Sequence, residues 1–485
     1  MHVRVAGISF QKIVAVYAKQ KARIIAGGTF LMLASTAPLL AQNTSTLHLS
    51  EAIRSGLAGY QRIKARANYI KASAALVENV KNQYLPDVTA SLQEAYGTVN
   101  GQFGPAAGIG IGGLSSAGPG YSKQSWNAAF GSVYLLNANW EFISFGRLHA
   151  RIVAAQSQVT QDSANYLQEQ FVQSVNIAGT YLNLLTAQRF IQNAKANIER
   201  AAAVQQSVIA RAKSGLIAGV DSSIANAEVS GARLALLQAI SNEQRIRNQL
   251  AQLLNAAPDP FLLDSSYFDH APVNYNTAYQ VTENPQVKFY ESRIQQSDAT
   301  EKFIKRSINP GLNLFGTLQG RGSGFDYNYT PDFTDRYTKS YLDGIKPARY
   351  NYLFGVGISW NLMSPFKIKQ QAKSQSYISA AYKEEYDLVA TQLKDQLVLA
   401  DQQIENSLKS VHEAPLQLKA ATDAYLQKTV LYKNGLTNIV DVQQALFTLN
   451  RAQTDISVAY INSWQALLLK AAASGDFDLF IKQVQ

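Results

Sequence analysis

The chain has 485 residues, of which 44 are Lys or Arg and 34 are Asp or Glu, so its net charge is +10. Five of the basic residues and no acidic residue lie within residues 1–41, which leaves 39 basic against 34 acidic residues, or +5, for the rest. So small and dispersed a charge argues against a nucleic-acid partner. The absence of cysteine excludes disulfides, thiolate nucleophiles, Cys-based metal sites and a lipidated N-terminus.

The first 41 residues have the pattern of an export signal. Basic residues up to Arg23 precede an apolar run, Ile24–Leu40, and Ala41 follows that run. The alternative is a transmembrane anchor, but two glycines and a proline interrupt the run, and a spanning helix needs ~20 apolar residues. No later segment is apolar enough for such a helix, so an exported chain of this sequence can enter a membrane only as a β-barrel. We therefore assign residues 1–41 to a signal peptide.

The next segment predicts a helix followed by a strand. Ser50 is a suitable N-cap for a helical pattern that runs to Val80, and Pro86 ends that pattern. Apolar and polar residues then alternate, which predicts a strand at 87–98. The segment that follows, up to Ser122, is rich in Gly, Ala and Ser and predicts an exposed loop.

A second strand, at 125–142, shows the clearest alternation in the chain. One face is apolar with aromatic residues near both ends, including Trp126 and Trp140, and the other face carries Asn, Ser and Gly. The two tryptophans are fourteen residues apart, roughly 46 Å along a strand and about 35 Å across a bilayer at a tilt of ~40°, close to the ~30 Å hydrocarbon thickness plus its edges. A strand of a soluble sandwich can alternate in this way too, but aromatic residues at both ends favour a membrane strand.

Two helical hairpin tips of almost the same sequence follow long helical patterns, at 213–221 and 433–441. Each tip contains a glycine suited to the left-handed position that ends a helix, and an aspartate suited to the N-cap of the next helix. These residues are Gly215 and Asp221 in the first tip, and Gly435 and Asp441 in the second, where Gln444 supplies a capping-box partner.

Constant spacing between matching features indicates an internal duplication. The tips are 220 residues apart, and so are Trp140 and Trp360. The second half is predicted to have strands at 311–320 and 349–362, and Pro415 is expected to kink its long helix. The chain then divides into a first repeat at 42–255, a connector at 256–286, a second repeat at 287–475 and a tail at 476–485. The predicted lipid-facing girdle consists of Trp126, Trp140, Tyr350, Tyr352 and Trp360.

Four strands per chain are too few to close a barrel. An open sheet edge in lipid leaves backbone groups unpaired, at a cost of several kcal/mol each, so several chains are expected to donate strands to one barrel. The symmetric arrangement of these chains around the barrel axis would also gather their long helices into a tube. A membrane β-pore continuous with a helical tube is a conduit.

With these features the chain resembles the TolC-like family of outer membrane channel proteins. The resemblance covers about residues 45–475 and is carried by the two G-L-x-x-x-x-D tips, by the strand-ending Trp140 and Trp360, by Pro86 and Pro310 between helix and strand, and by the half-repeat itself. It implies a mainly α fold with a membrane β part, in which a homotrimer forms a twelve-stranded barrel above a periplasmic α-helical tunnel. It places the protein in the outer membrane of a Gram-negative bacterium, with a large periplasmic part.

The resemblance also implies partners and a transport role. Family members dock onto a periplasmic adaptor (membrane fusion) protein and an inner-membrane transporter of the RND, ABC or MFS type. They serve drug efflux, type I protein secretion or metal export. The exposed tip residues Gly215, Leu216, Gly435 and Leu436 are the expected adaptor contacts, because a Leu at a tip has no local core to fill.

The family resemblance further predicts a periplasmic gate at the tips. Asp441 matches an aspartate that forms a ring at the tunnel constriction, and Gln444 stands where some members have a second aspartate. A ring of three carboxylates attracts cations, and mutual repulsion raises the carboxylate pKa. Tyr432 matches a tyrosine that holds the closed tips, with Asp221 as its polar partner, whereas Thr437 replaces an arginine of that lock. The simpler alternative is that both aspartates only cap helices.

Neither catalysis nor a cofactor is expected. The histidines are scattered with no second ligand at metal spacing, and the chain has only three methionines, which weakens a copper-handling role. The alternative to a channel is an adhesive or structural coiled-coil stalk anchored by a small barrel. The inner face of the strands and helices separates the two, since a conduit needs a wet interior and a solid stalk needs an apolar one.

Overall fold

The computed structural model describes residues 46–101, 120, 122–273 and 280–483. The predicted signal peptide lies outside these residues, as do most of the loop before the second strand and part of the connector. From Leu47 onward the chain forms one unit of packed helices and a single sheet. Across the described ranges, every helix is too short or too polar to be a membrane span.

Two helices, not one, precede the first strand. Helix α1 spans Leu49–Gly59 and α2 spans Gln61–Asn82, with Tyr60 extended between them (φ −71°, ψ 118°). The prediction of one helix with Ser50 as N-cap is therefore wrong in both respects. His48 occupies the N-cap position without a side-chain hydrogen bond, and Ser50 lies inside the helix, because Leu49 already packs into the core.

The four strands form one antiparallel sheet in the order β1-β2-β3-β4. Their bounds are Asp87–Thr98 for β1, Ala128–Ile143 for β2, Gly311–Ser323 for β3 and Arg349–Ser359 for β4. β2 begins later and β4 ends earlier than the alternation suggested, so Trp126 and Trp360 lie just outside their strands. The middle pair, β2 and β3, joins the two halves of the duplicated chain, with an irregularity between Glu141 and Ile143.

Strand register brings the apolar residues of all four strands onto one face. Paired positions run across the sheet from Ala90 through Leu136 and Leu318 to Tyr352. The other face is mainly polar, and there Thr317 donates a hydrogen bond to Asn137 (2.9 Å). It is not uniformly polar, however, because Phe315 pairs with Gly355 on this face. The Phe315 ring lies 2.5 Å from where a Cβ on Gly355 would be, so the glycine is required for this packing.

Two long helical hairpins descend from the sheet. The first consists of α3 (Arg147–Lys213) and α4 (Gly219–Leu254), and the second of α7 (Ser364–Lys433) and α8 (Ile439–Ser474). α3 has 67 residues, which corresponds to a length of about 100 Å. The second hairpin is preceded by α5 (Pro285–Arg306), and α7 continues through Pro415. Short helices α6 (Tyr341–Ile345) and α9 (Asp478–Ile481) complete the fold with two 3₁₀ turns at Ser266–Phe268 and Val281–Glu283.

The main hydrophobic core lies partway along the hairpins. α1, the connector and the C-terminal α9 pack there against α3 and α8, and Tyr181, Trp464 and Phe480 are fully buried. The Tyr181 hydroxyl donates to the Leu47 carbonyl (2.7 Å), which holds the segment before α1 against α3. A second, smaller core lies at the hairpin tips, and it includes Val208, Tyr432 and Leu446. This second core positions the residues that the sequence assigns to a gate.

Candidate functional site at the hairpin tips

Each hairpin tip is built by a glycine in the left-handed conformation. Gly215 has φ +74° and Gly435 has φ +76°. In both tips the N–H after the glycine bonds back to the helix, Leu216 to the Arg211 carbonyl (3.0 Å) and Leu436 to the Leu431 carbonyl (2.9 Å). This pairing of the last helical turn is the Schellman motif, which satisfies carbonyls that the helix end leaves unpaired. Both tip leucines are exposed, as a docking surface requires.

Neither aspartate of the tips caps a helix, contrary to the sequence prediction. α4 begins after Ala218, which has no capping side chain, and α8 begins after Asn438. The Asn438 side chain accepts a hydrogen bond from the N–H of Asp441 (2.9 Å), so the cap lies three residues before Asp441 and Gln444 is not its partner. Both helices start earlier than expected, which puts Asp221 and Asp441 in the first turn, where the helix dipole still favours a negative charge.

The Asp441 carboxylate is held within the second hairpin. Its Oδ2 accepts from the Thr437 hydroxyl (2.5 Å) and from Lys428 Nζ (2.9 Å). These contacts, the Thr437 hydrogen bond first, lower the pKa of Asp441 below its ordinary value. Within one chain the effect is opposite in sign to the rise expected from a ring of like charges. Thr437, the residue in place of the family arginine, thus has a contact of its own.

Tyr432 is buried, and its surroundings differ from those predicted. The described residues provide no hydrogen-bond partner for its hydroxyl. Burial raises the pKa of Tyr432, the positive charge of Arg211 opposes that rise, and the negative charge of Asp221 adds to it. Asp221 therefore acts on Tyr432 through its charge and not through the predicted direct contact.

Arg211 joins the two tips, and sequence reasoning missed it. Its guanidinium lies over the Tyr432 ring, 5.1 Å from the ring centre. It also donates to the carbonyl of Tyr432 and, at 3.4 Å, to that of Lys433. A cation is favoured at a helix C-terminus, and Arg211 lies near the end of its own helix α3, where the sequence would place its contacts. Its guanidinium instead contacts the end of α7. Lys428 was missed for the same reason, since its partner Asp441 lies on the other helix of its hairpin.

The tip site consists of contacts that hold helices together. Over the described ranges, no three His, Cys, Asp or Glu side chains come together in a way that suits a metal ion. The charged groups pair across helices, Arg211 with the end of α7 and Lys428 with Asp441. Separating the hairpins would break the Arg211 contacts, which cross from the first hairpin to the second, whereas the Lys428–Asp441 pair lies within the second hairpin.

The residues of the predicted girdle lie at or near the ends of the strands. Trp126, Tyr350 and Tyr352 are strongly exposed. Trp140 donates from its indole to the Tyr84 carbonyl (2.7 Å), and Trp360 donates to the Ile308 carbonyl (3.0 Å). Each acceptor lies two residues before the proline between helix and strand, so the duplication extends to this contact. An indole with an apolar body and a satisfied N–H is typical of an interfacial position.

The chain is similar in sequence to one protein family and in fold to several solved structures. Residues 52–256 match the family model described as "Outer membrane efflux protein". No curated protein sequence matches the chain. The fold matches the outer-membrane channel OprN, with a TM-score of 0.70, 17% identity, and coverage of 88% of this chain and 90% of that one.

Two further solved structures share the fold. The outer membrane protein VceC of Vibrio cholerae gives a TM-score of 0.68 at 15% identity, over 88% of this chain and 96% of that one. The CmeC outer membrane channel of Campylobacter jejuni gives 0.70 at 14% identity, over 88% and 85%. The predicted fold class, mainly helical with four antiparallel strands per chain, is confirmed.

Proposed function

The chain is a member of the TolC-like outer membrane efflux protein family, and we propose that it is the outer-membrane exit duct of a tripartite efflux or type I secretion system. One observation carries this proposal. The sheet has a mainly apolar face, on which Glu94 and Ser132 form one polar pair, a mainly polar opposite face and two outer edges, β1 and β4, that pair with no other strand of the described chain. A sheet of this kind is stable in a bilayer only if further strands cover both edges.

Three copies of the chain meet that requirement. β1 has 12 residues and β4 has 11, so the last strand of one copy matches the first strand of the next in length. Three sheets joined in this way give a twelve-stranded barrel with the apolar face toward lipid. The polar face, with Asn137 and Thr317, then lines a wet lumen. The hairpins continue that lumen as a helical tunnel on the periplasmic side.

The tips supply docking and gating in this proposal. Leu216 and Leu436 are exposed at the hairpin ends and are the surface for a periplasmic adaptor. Asp441, Gln444 and Asp221 line the entrance with Tyr432 buried behind them, and Arg211 holds the two hairpins of one chain together over the Tyr432 ring. An adaptor bound to an inner-membrane transporter of the RND, ABC or MFS type opens the passive channel by moving one hairpin relative to the other.

Conductance of the purified protein in a planar bilayer tests the duct. A homotrimer in mild detergent and single-channel currents in the bilayer are the expected results. Trimers that insert without conductance would contradict the duct and favour the anchored stalk. A monomer or dimer would contradict the trimeric barrel.

Two neighbouring residues test which face meets the lipid. Leu136 lies on the apolar face and Asn137 on the polar face, one residue apart and therefore at the same depth. We expect Leu136→Arg to destabilise the inserted trimer by about 2–4 kcal/mol, while Asn137→Arg leaves its stability unchanged and alters conductance. Thermal dissociation of the trimer in detergent measures the stability of both variants, and planar-bilayer recording measures the conductance of Asn137→Arg. Equal destabilisation by the two variants would contradict the membrane orientation of the sheet.

A further inference from the structure

A groove of about 720 Å³ lies where the first long hairpin leaves the sheet, between α3 and α5. It is lined by Phe145, Gly146 and His149 from the α3 side and by Ala299, Lys302 and Arg306 from α5. The three α5 residues follow one another at spacings of three and four, so they share one face of that helix. The groove thus combines an aromatic rim, a small apolar floor and two long cationic side chains.

The groove opens on the side of the apolar sheet face. On the polar side, Arg147 forms an ion pair with Glu141, whose strand partner is Asn313. His149 is two residues further along α3, a rotation of about 200° at ~100° per residue, so it lies on the opposite side of the helix. On the α5 side, the girdle residue Trp360 binds the Ile308 carbonyl, two residues beyond the end of that helix. The groove is therefore next to the aromatic girdle.

The described residues supply no carboxylate that pairs with the two cations of the groove. Lys302 and Arg306 are exposed, and neither forms an ion pair with a carboxylate among the described residues. Of the acidic residues of α5 near the groove, Glu301 is paired with Lys305 (2.7 Å), and Asp298, one turn before Lys302, lies more than 4 Å from its ammonium group. The N-terminus of the 67-residue helix α3, which begins after Gly146, adds the positive end of its dipole on the other side. An anion of matching size is the missing partner.

We propose that this groove binds the phosphate of an anionic phospholipid, from the leaflet that faces the helical part of the protein. The assignment rests on the proposed function, because it requires the sheet to lie in a membrane. Lys302 and Arg306 contact the phosphate, and the guanidinium of Arg306 offers two parallel donors that suit it. The acyl chains extend past Phe145 toward the apolar face of the sheet.

A lipid fits this position better than a free anion. Phe145 is 51% exposed beside the two cations, an arrangement that is unfavourable in water and favourable at a bilayer interface. The indole of Trp360 nearby has an exposed ring and a satisfied N–H, as interfacial tryptophans do. Clusters of Lys and Arg beside a membrane segment attract anionic lipids. Headgroup and chain contacts are thus continuous in this groove.

Native mass spectrometry of the full-length protein in detergent tests the proposal. The protein is titrated with phosphatidylglycerol and, separately, with phosphatidylcholine of the same acyl chains. We expect the wild type to prefer phosphatidylglycerol, and Lys302→Gln/Arg306→Gln to bind it roughly thirtyfold more weakly, since each basic residue contributes about 1 kcal/mol near an anionic surface. The charge-preserving variant Lys302→Arg/Arg306→Lys is expected to retain the preference.

A matched control removes two other lysines at the same level of the molecule. Lys81 and Lys305 are exposed residues in the last turns of α2 and α5, each paired with a glutamate of its own helix. Lys81→Gln/Lys305→Gln is expected to leave the lipid preference unchanged. Equal binding of the two lipids by the wild type, an equal loss in this control, or displacement of the lipid by inorganic phosphate would overturn the proposal.

The same protein preparations separate this proposal from the proposed function. A protein that conducts in a bilayer but shows no preference for phosphatidylglycerol would contradict the lipid groove and leave the duct intact. A protein that prefers phosphatidylglycerol through Lys302 and Arg306 but carries no current would contradict the duct and leave the lipid groove intact.

Discussion

Arg211 belongs to the first hairpin by sequence, but its contacts lie on the second. Its guanidinium covers the ring of Tyr432 and donates to the last carbonyls of α7, where the helix dipole favours a cation. A lysine would keep the charge but lose the planar fork that meets two carbonyls and a ring together. One side chain thus holds two elements that a gate would have to separate.

Loss of the Arg211 contacts is expected to open the channel at rest. A cation–π contact of this kind is worth about 1 kcal/mol, so Arg211→Gln should raise the open population about fivefold, with Arg211→Lys in between. Basal single-channel conductance measures the effect.

Lys213→Gln removes an exposed charge in the same last turn and should leave the basal conductance unchanged. Tyr432→Phe keeps the ring under Arg211 and removes a hydroxyl that bonds to none of the described residues, so it should also leave conductance unchanged. An unaltered basal current in Arg211→Gln would contradict the proposal that Arg211 holds the two hairpins together in the closed state.

The sequence identified the tips but not the contacts that join them. Gly215 and Gly435 were found because their conformation is dictated locally, by the need for a positive φ at a helix end. Arg211 and Lys428 were missed because their partners lie on other helices, at positions that depend on how the hairpins pack. The helix starts at the tips were misjudged because Asp is acceptable both at the N-cap and in the first turn.

At the scale of elements, each tip depends on one glycine conformation. A Cβ at Gly215 would meet nothing within 4 Å, and at Gly435 it would meet only the Arg211 guanidinium at 3.7 Å. Replacement therefore costs backbone strain and not a steric clash, about 1–3 kcal/mol for each residue held at positive φ. The strain falls on the tip alone, far from the sheet and the main core.

Gly215→Val and Gly435→Val are expected to abolish export while the protein stays trimeric and inserted. The reason is that the strained tip no longer presents Leu216 or Leu436 in the arrangement that the adaptor contacts. Export in cells and adaptor binding by the purified trimer measure the effect. Gly219→Val is the control, because Gly219 lies in the first tip with open space around it and without a positive φ. Survival of export in both tip variants would show that the adaptor binds elsewhere.

Elements with local stop signals were the predictable part of the fold. β1 begins directly after Pro86, which disfavours continuation of the helix because it has no N–H, and the alternation of β1 is regular. The break at Tyr60 has only a weak signal, because an isolated glycine such as Gly59 is tolerated inside a helical pattern. The break follows from packing of α1 into the main core. The late start of β2 is of the same kind, since Trp126 fits the alternation yet precedes the paired residues.

At the scale of the whole molecule, the sheet and the tips lie at opposite ends of helices about 100 Å long, and the main core lies between them. Each end is incomplete in a single chain. The outer edges of the sheet, β1 and β4, pair with no further strand in the part of the chain that the structure describes, and the tips present exposed leucines. The proposed assembly of several copies would cover the edges and bring the tips around a common axis.

Cross-linking between the two edge strands tests how many copies close the barrel. The chain has no cysteine, so Ala90→Cys in β1 can be combined in turn with Tyr352→Cys, Phe354→Cys or Val356→Cys in β4. β1 and β4 are the outermost of four strands, three spacings or about 14 Å apart, and a disulfide needs Cα atoms within about 7 Å. Any bond that forms must therefore join different copies.

We expect oxidation of at least one pair to give covalent species of up to three chains and none larger, since a closed ring of three leaves no free edge. Ala90→Cys/Leu136→Cys places both thiols at a paired position of one sheet and should yield only cross-linked monomer. Ladders beyond three chains, or monomer alone from all three edge pairs, would contradict the trimeric barrel.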